Sequence, residues 1–456
     1  MLRAAIRAAR WRERHISDNA AAFIVATVTG LAAGTGAFVL KWMVASVTRF
    51  LTHGLRLDGA NWIFLLIPVA GIILTGIYVR YILRDDITHG VSKLMADLRK
   101  RIYKLRLHLT YSPLIASTLT LGFGGSAGSE GPIAYAGAAM GSNLARLARF
   151  SPQLMMIMVG CGAGAGIAGI FKAPVGGFLF TLEVLRMELT TVSVIALFTA
   201  CIVAGMTAFA LSGFTYDLNF PGVHLFEPSM SGWYVALGIF CGLYALYYSA
   251  MMRRMQHVYG SVRSPWLRNL AGGAVLALSI FLFPSLYGEG YGVMGHLLCG
   301  EHSAITAGSL FYGIAPDAWA LIIVAGAILL VKTFACSASN SAGGVAGDFA
   351  PTLFAGCIAG LFFALTVNKI FDAGLPVSHF AFVAMAGVMA GIVRAPLMAL
   401  FLAVEMTGCE TLFLPALIVA GISFGVVKLS TRADFYAYSH LRRSLLEKHI
   451  SSDRKP

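Results

Sequence analysis

The sequence predicts an all-α integral membrane protein built from two related halves. Three observations lead there. Hydrophobic residues make up 58% of the 456 and charged residues only 12%, with a mean hydropathy of +0.77. That composition excludes an ordinary soluble globular domain. Apolar runs recur along the whole chain. Finally, two glycine-rich breaks, each leading into an apolar run of helical period, occur at corresponding places, which is the sequence pointer to a transporter with its site between repeats.

The first break is Gly128-Ser129-Glu130-Gly131-Pro132 and the second is Gly347-Asp348-Phe349-Ala350-Pro351. With Pro132 set on Pro351, Gly128 falls on Gly347, Gly137 on Gly356, Gly141 on Gly360 and Glu130 on Phe349. A further pair repeats at nearly the same offset, GIFKAPVGGFLFTLEV from Gly169 and GIVRAPLMALFLAVEM from Gly391. There Ala173-Pro174 matches Ala395-Pro396, and Glu183 matches Glu405. Glu130 stands at its break with apolar sequence on both sides. An ionisable group at membrane depth is a functional-site candidate by default. A glycine-rich backbone entering a helix points free N–H groups at whatever sits there and favours an anion. The residues therefore put a carboxylate where an anion would bind; the plainer alternative is a helix-packing contact with a hydrogen-bonded acid.

The elements follow in order. Met1–Asp18 reads as a basic amphipathic helix on the inner membrane surface, with no apolar core and cleavage site of a signal peptide. Apolar runs are Ala20–Leu40, Trp62–Ile82, Val192–Leu211, Trp233–Met252, Leu270–Phe283, Ala318–Val331, Phe380–Ile392 and Leu412–Val427. Several are shorter than the ~20 residues of a straight span, which fits tilted helices and helices that stop partway around a cavity. Fifty glycines suit close helix packing in lipid.

The formal charge is +13, but it is local. Arginines crowd the first fifteen residues, and basic clusters lie at Arg80–Arg106, Arg253–Arg268 and beyond Lys428. By the positive-inside rule these are cytoplasmic, whereas Thr215–Pro228, with no Lys or Arg, lies outside. The charge reads as topology, not as a nucleic-acid surface. Seven cysteines without a CxxC and eleven histidines without HExxH spacing argue against a disulfide framework, a metal site or a cofactor. No nucleophile stands at a suggestive spacing from a base, so no enzyme is expected.

GSEGP resembles the GREGP/GKEGP motif of the CLC family of chloride channels and chloride/proton antiporters. GDFAP fits that family's GxFxP, and GEGYGVM from Gly288 resembles another of its segments. The resemblance covers nearly the whole chain. It implies a CLC-type fold of many tilted and broken helices in two inverted-topology halves, a homodimer in a lipid bilayer, and an anion path in each subunit for chloride or a similar anion, with protons as a second substrate of the family's antiporters. The implied location is the inner or plasma membrane, multi-pass, with both termini cytoplasmic. The organisation expected is an N-terminal helix (1–18), a first membrane repeat (19–212), an external loop, long span and inner loop (213–268), a second repeat (269–430) and a C-terminal helix and tail (431–456). No paired cytoplasmic regulatory domains of the kind some relatives carry are expected.

The resemblance also assigns roles. Glu130 is the gating glutamate, a tethered anion that blocks an anion site when charged and leaves when protonated. Anion contacts fall to Gly128, Ser129, Gly131, Asp348 and Phe349, to His89 at the place of the family's central serine, and to Tyr436 or Tyr438 in the final helix. Ser129 replaces the usual Arg or Lys, and Asp348 adds a second acid beside the backbone donors. In the family's antiporters the AP-containing helix ends in two glutamates. Here Glu183 matches the first and Val184 stands at the second, the proton-relay position, as in the family's channels. Glu183 is expected to have a packing or capping role, because Glu405 repeats it in the other half. The resulting expectation is channel-like or weakly proton-coupled chloride transport. The alternatives are a coupled chloride/proton antiporter, with His89 or water as the proton route, and a transporter of another halide such as fluoride.

Overall fold

The computed structural model describes residues 15–56, 59–85, 87, 90–188, 190–218, 220–221, 227–314 and 318–430. Regular structure among them is helical apart from one isolated β-bridge, between Gly128 and Gly347. The helices are α1 (Asp18–Thr52), α2 (Ile67–Ile77), α3 (Gly90–Arg99), α4 (Ser112–Gly122), α5 (Glu130–Leu147), α6 (Pro152–Phe171), α7 (Pro174–Leu179) and α8 (Thr191–Leu211). The second set is α9 (Ser231–Ser261), α10 (Pro265–Leu282), α11 (Tyr291–Leu298), α12 (Ala318–Ser341), α13 (Phe349–Phe371), α14 (Val377–Val393), α15 (Pro396–Thr407) and α16 (Phe413–Ser430).

Helix starts carry the expected chemistry. Ser17, Ser151 and Ser264 each accept a hydrogen bond from the N–H three residues on, at 3.4 Å, and Thr190 forms a reciprocal cap with Ser193. Proline opens α6, α7, α10 and α15, where its missing N–H has no partner to lose. Nine helices among the described residues are long and apolar enough to cross a membrane, so this is a multi-pass membrane protein. The apolar runs understate their lengths: Ala20–Leu40 sits in a 35-residue helix and Trp233–Met252 in one of 31 residues. Each helix continues past its apolar run because its main-chain hydrogen bonds close locally whatever the side chains. The runs at α7, α14 and α15 are short apolar helices instead.

The two halves pack by the same device. At Gly137 and Gly141 of α5 a Cβ would strike the carbonyls of Gly162 and Met158 in α6. At their sequence counterparts in α13 it would strike the backbone of α14, Gly356 against Ala384 and Met385 and Gly360 against Phe380. Backbones in contact give α5 and α13 fixed seats, as small residues do between helices in lipid. Of the free cysteines six are buried, as expected of small core residues, and Cys299 is exposed.

Candidate anion site

The breaks at Gly128 and Gly347 clasp each other. Gly128 N donates to Gly347 O at 2.9 Å and Gly347 N to Gly128 O at 2.6 Å. This bridge brings the N-termini of α5 and α13 face to face, so two sets of unsatisfied N–H groups converge. The start of α3 closes in from a third side, since a Cβ on Gly90 would meet the Gly131 carbonyl.

Glu130 lies where these elements meet and is 1% exposed. Its Oε1 accepts from the N–H of Phe349, while Oε2 is buried without a hydrogen-bond partner. The carboxylate folds back into room that only glycine leaves. The three atoms nearest a Cβ at Gly128 all belong to the Glu130 carboxyl, and one at Gly347 would lie 2.6 Å from Oε1 and 2.7 Å from Gly131 N. Phe349 is fully buried, its ring edge-on to Phe180 at 5.7 Å. Beneath the carboxylate is a narrow cavity of about 310 Å³, including the part open to solvent, lined by Gly90, Ser92, Gly131, Asn340, Asp348 and Phe349. Gly128, Gly131, Asp348 and Phe349 are thus brought together with Glu130, as the sequence reading expects.

Other expectations are corrected or refined. Ser129 does not present its hydroxyl to this cavity. Its N–H and Oγ both donate to Glu289 Oε1, at 2.8 and 2.6 Å, because a helix N-terminus attracts the nearest carboxylate. The Asp348 side chain accepts from Asn340 Nδ2 and from the Cys336 thiol at 3.4 Å, so its charge is held against α12. His89, Tyr436 and Tyr438 lie outside the described residues.

Glu183 and Val184 fall in a widened helical turn, Phe180–Val184, that continues α7. Glu183 accepts from Leu397 N at 3.4 Å and Met398 N at 2.8 Å, the first free donors of α15. Glu405 at the end of α15 returns the contact, accepting from Val175 N at 3.0 Å and Gly176 N at 2.7 Å. Capping is therefore what Glu183 does. Val184 is buried, 5% exposed.

Besides Glu289, three groups escaped the sequence reading. Ser92 and Asn340 line the cavity, and Asn340 Oδ1 is buried without a partner. Lys332, in the middle of α12, is 1% exposed. Its ammonium donates to Ser126 Oγ at 2.8 Å and lies 4.8 Å from the centre of the Phe354 ring, close enough to Glu130 and Asp348 to act on both. A lone lysine inside LIIVAGAILLVKTF was legible as an intramembrane charge, and the rule that singled out Glu130 applies to it equally.

Residues 71–428 match the family model described as voltage gated chloride channel. The chain belongs to the CLC family. Among curated relatives, a ClcB-like chloride channel protein of Ralstonia nicotianae is 28% identical over 389 residues, covering 83% of this chain and 85% of the relative. The voltage-gated ClC-type chloride channel ClcB of Salmonella typhi is 29% identical over 337 residues, 72% of this chain and 74% of that one. Among solved structures, a slow cyanobacterial Cl−/H+ antiporter superposes with a TM-score of 0.76 at 21% identity, over 92% of this chain and 97% of that one. A CLC-type fluoride/proton antiporter gives 0.70 at 21% identity, over 90% and 95%. The CLC fold expected from the two breaks is therefore present, and the function of the family is anion transport across a membrane.

Proposed function

We propose that the chain moves chloride or a similar halide through a path in each subunit of a homodimer, gated by Glu130 and at most weakly coupled to protons. The observation that carries this reading is the Glu130 carboxylate on the Phe349 N–H, where the N-termini of α5 and α13 converge. Partial charges from helix ends bind an anion without trapping it, as full charges would. A carboxylate seated on such a donor competes with the anion. Charged, it blocks the site; protonated, it has no anionic claim on the N–H and leaves. One proton and one anion thus exchange at a single place.

Weak coupling is supported by the inner side. A proton leaving Glu130 away from this seat needs a titratable group or a water chain. Val184 offers neither, and Glu183 is engaged at the start of α15. By the positive-inside rule the basic loops and both termini face the cytoplasm. The coupled antiporter is the second reading, favoured by the names of the superposing structures.

The test is purified protein in liposomes under a chloride gradient, with external pH recorded. Anion flux without sustained uphill proton movement supports the proposal. Uphill proton movement that disappears in Glu130→Gln moves the assignment to antiporter. Repeating the flux with fluoride in place of chloride identifies the preferred halide.

A further inference from the structure

We propose that Glu289 is a second gating carboxylate, stacked beyond Glu130 on the face of the protein away from the basic loops. This rests on the reading of Glu130 as the gate. Glu289 lies between α10 and α11. α10 starts just after the basic Arg253–Arg263 segment and crosses the membrane, so its far end, and with it Glu289, is on the opposite side.

Glu289 makes the contacts of a tethered anion. Its Oε1 takes both the N–H and the hydroxyl of Ser129, the residue before Glu130. The two carboxylates therefore divide the donors at this junction: Glu130 holds the Phe349 N–H, Glu289 holds the Ser129 N–H and hydroxyl. An anion arriving from the Glu289 side meets the Ser129 donors first and finds them taken. The unpartnered groups point to a ligand between them. Glu130 Oε2 and the Tyr291 hydroxyl are both buried with no hydrogen-bond partner, and Tyr291 lies within electrostatic reach of Glu289 and Glu130 alike. An anion that displaced Glu289 would gain the Ser129 donors and have the Tyr291 hydroxyl at hand.

Glu289 is half-buried rather than sealed, which leaves it within reach of a proton from water on its own side. Lys41 of α1 and Asp217 of the loop after α8 act on it from the neighbouring elements, and Glu130 acts on it from α5. Lys41 is itself shared, bonded to Asp217 at 2.5 Å and lying 5.0 Å from the centre of the Tyr291 ring. Tyr287, two residues before Glu289, is occupied by the Gly122 carbonyl at 2.8 Å. On protonation Glu289 gives up its ionic hold on Ser129, and the two donors become available to the anion. Opening from this face thus takes one proton at Glu289 and one at Glu130.

The experiment is halide flux through the full chain in liposomes, varying pH only on the Glu289 face, for wild type, Glu130→Gln, Glu289→Gln and the double variant. One titrating carboxylate changes the open fraction by up to about tenfold per pH unit and two by up to about a hundredfold. The expected result is a wild type steeper than one proton, a residual one-proton dependence in Glu130→Gln, and a flat profile in the double variant. A flat Glu130→Gln profile overturns the proposal and leaves the Glu130 gate standing. A wild-type profile in Glu130→Gln overturns the Glu130 reading instead. Should Glu289→Gln fail to fold, Ser129→Ala serves in its place. Loss of one of the two bonds to Glu289 weakens its hold, so in the Glu130→Gln background the residual dependence should shift to higher pH. An unshifted profile there counts against the proposal.

Discussion

Glu183 and Glu405 cap each other's helices. Each stands near the end of one AP-containing helix and accepts two backbone N–H groups from the first turn of the other, at 2.7–3.4 Å. The preceding residues match too: Lys172 and Arg394 both turn left-handed, at φ 54° and 61°, to end the helix before the break. The two halves are therefore locked by a reciprocal exchange of carboxylates. Glu183→Ala and Glu405→Ala should each lower stability by about 1–2 kcal/mol, read by thermal unfolding in detergent, with a non-additive double mutant. If Glu183 relays protons instead, Glu183→Gln should change proton flux with unfolding unaltered.

Glu130→Gln mimics the protonated gate. Anion flux should persist and its pH dependence should fall from steeper than one proton to about one proton, what remains tracking Glu289. The same vesicle assay at a series of pH values checks this, and an unchanged profile removes Glu130 from the gate.

Gly128→Ala should evict the Glu130 carboxylate without disturbing the helices, because the three atoms nearest the new methyl all belong to that flexible side chain. Its neutral-pH flux should approach that of Glu130→Gln. Wild-type flux in Gly128→Ala would mean that the carboxylate does not need this seat to block.

Asp217 ties the loop after α8 to the body of α1 and the end of α6, with Lys41 at 2.5 Å and Lys172 at 2.8 Å. Burial works to raise its pKa, but the two ammonium groups outweigh it and hold the carboxyl below the usual range. A depressed folded-state pKa gives stability that is present above the unfolded value, about 3.9, and is lost as pH falls through the folded value. Unfolding of Asp217→Asn should thus match wild type in strong acid and fall below it at neutral pH.

An ordinary histidine has a pKa of about 6.5 and charges in mild acid, which bears on His89. If it faces the anion, acidification on its side tightens chloride binding and His89→Ser removes the effect. Chloride titrations at two pH values decide, and equal affinities remove His89 from the anion path.

Much of this was legible in the sequence, because the physical constraints are local and repeated. Apolar composition forces helices, since in lipid the backbone must satisfy itself. Glycines spaced alike in two segments mark backbones that touch, and Gly137/Gly356 and Gly141/Gly360 do so. A carboxylate at a helix start marks a candidate anion site, and Glu130 sits on the Phe349 N–H. The repeat of Glu183 at Glu405 already argued for a structural role.

Partner choice across the chain was decided only in three dimensions. Ser129 and Glu289 are separated by 160 positions, and no period in the sequence links them. Which free N–H a buried carboxylate takes depends on which helix ends the packing brings near it. So the sequence by itself determined the fold class, the two breaks and the gate candidate. The tertiary structure alone decided that Ser129 belongs to Glu289, that Asp348 is held against α12, and that a buried Lys332 lies beside the site, because desolvated charges settle by distance rather than by order along the chain.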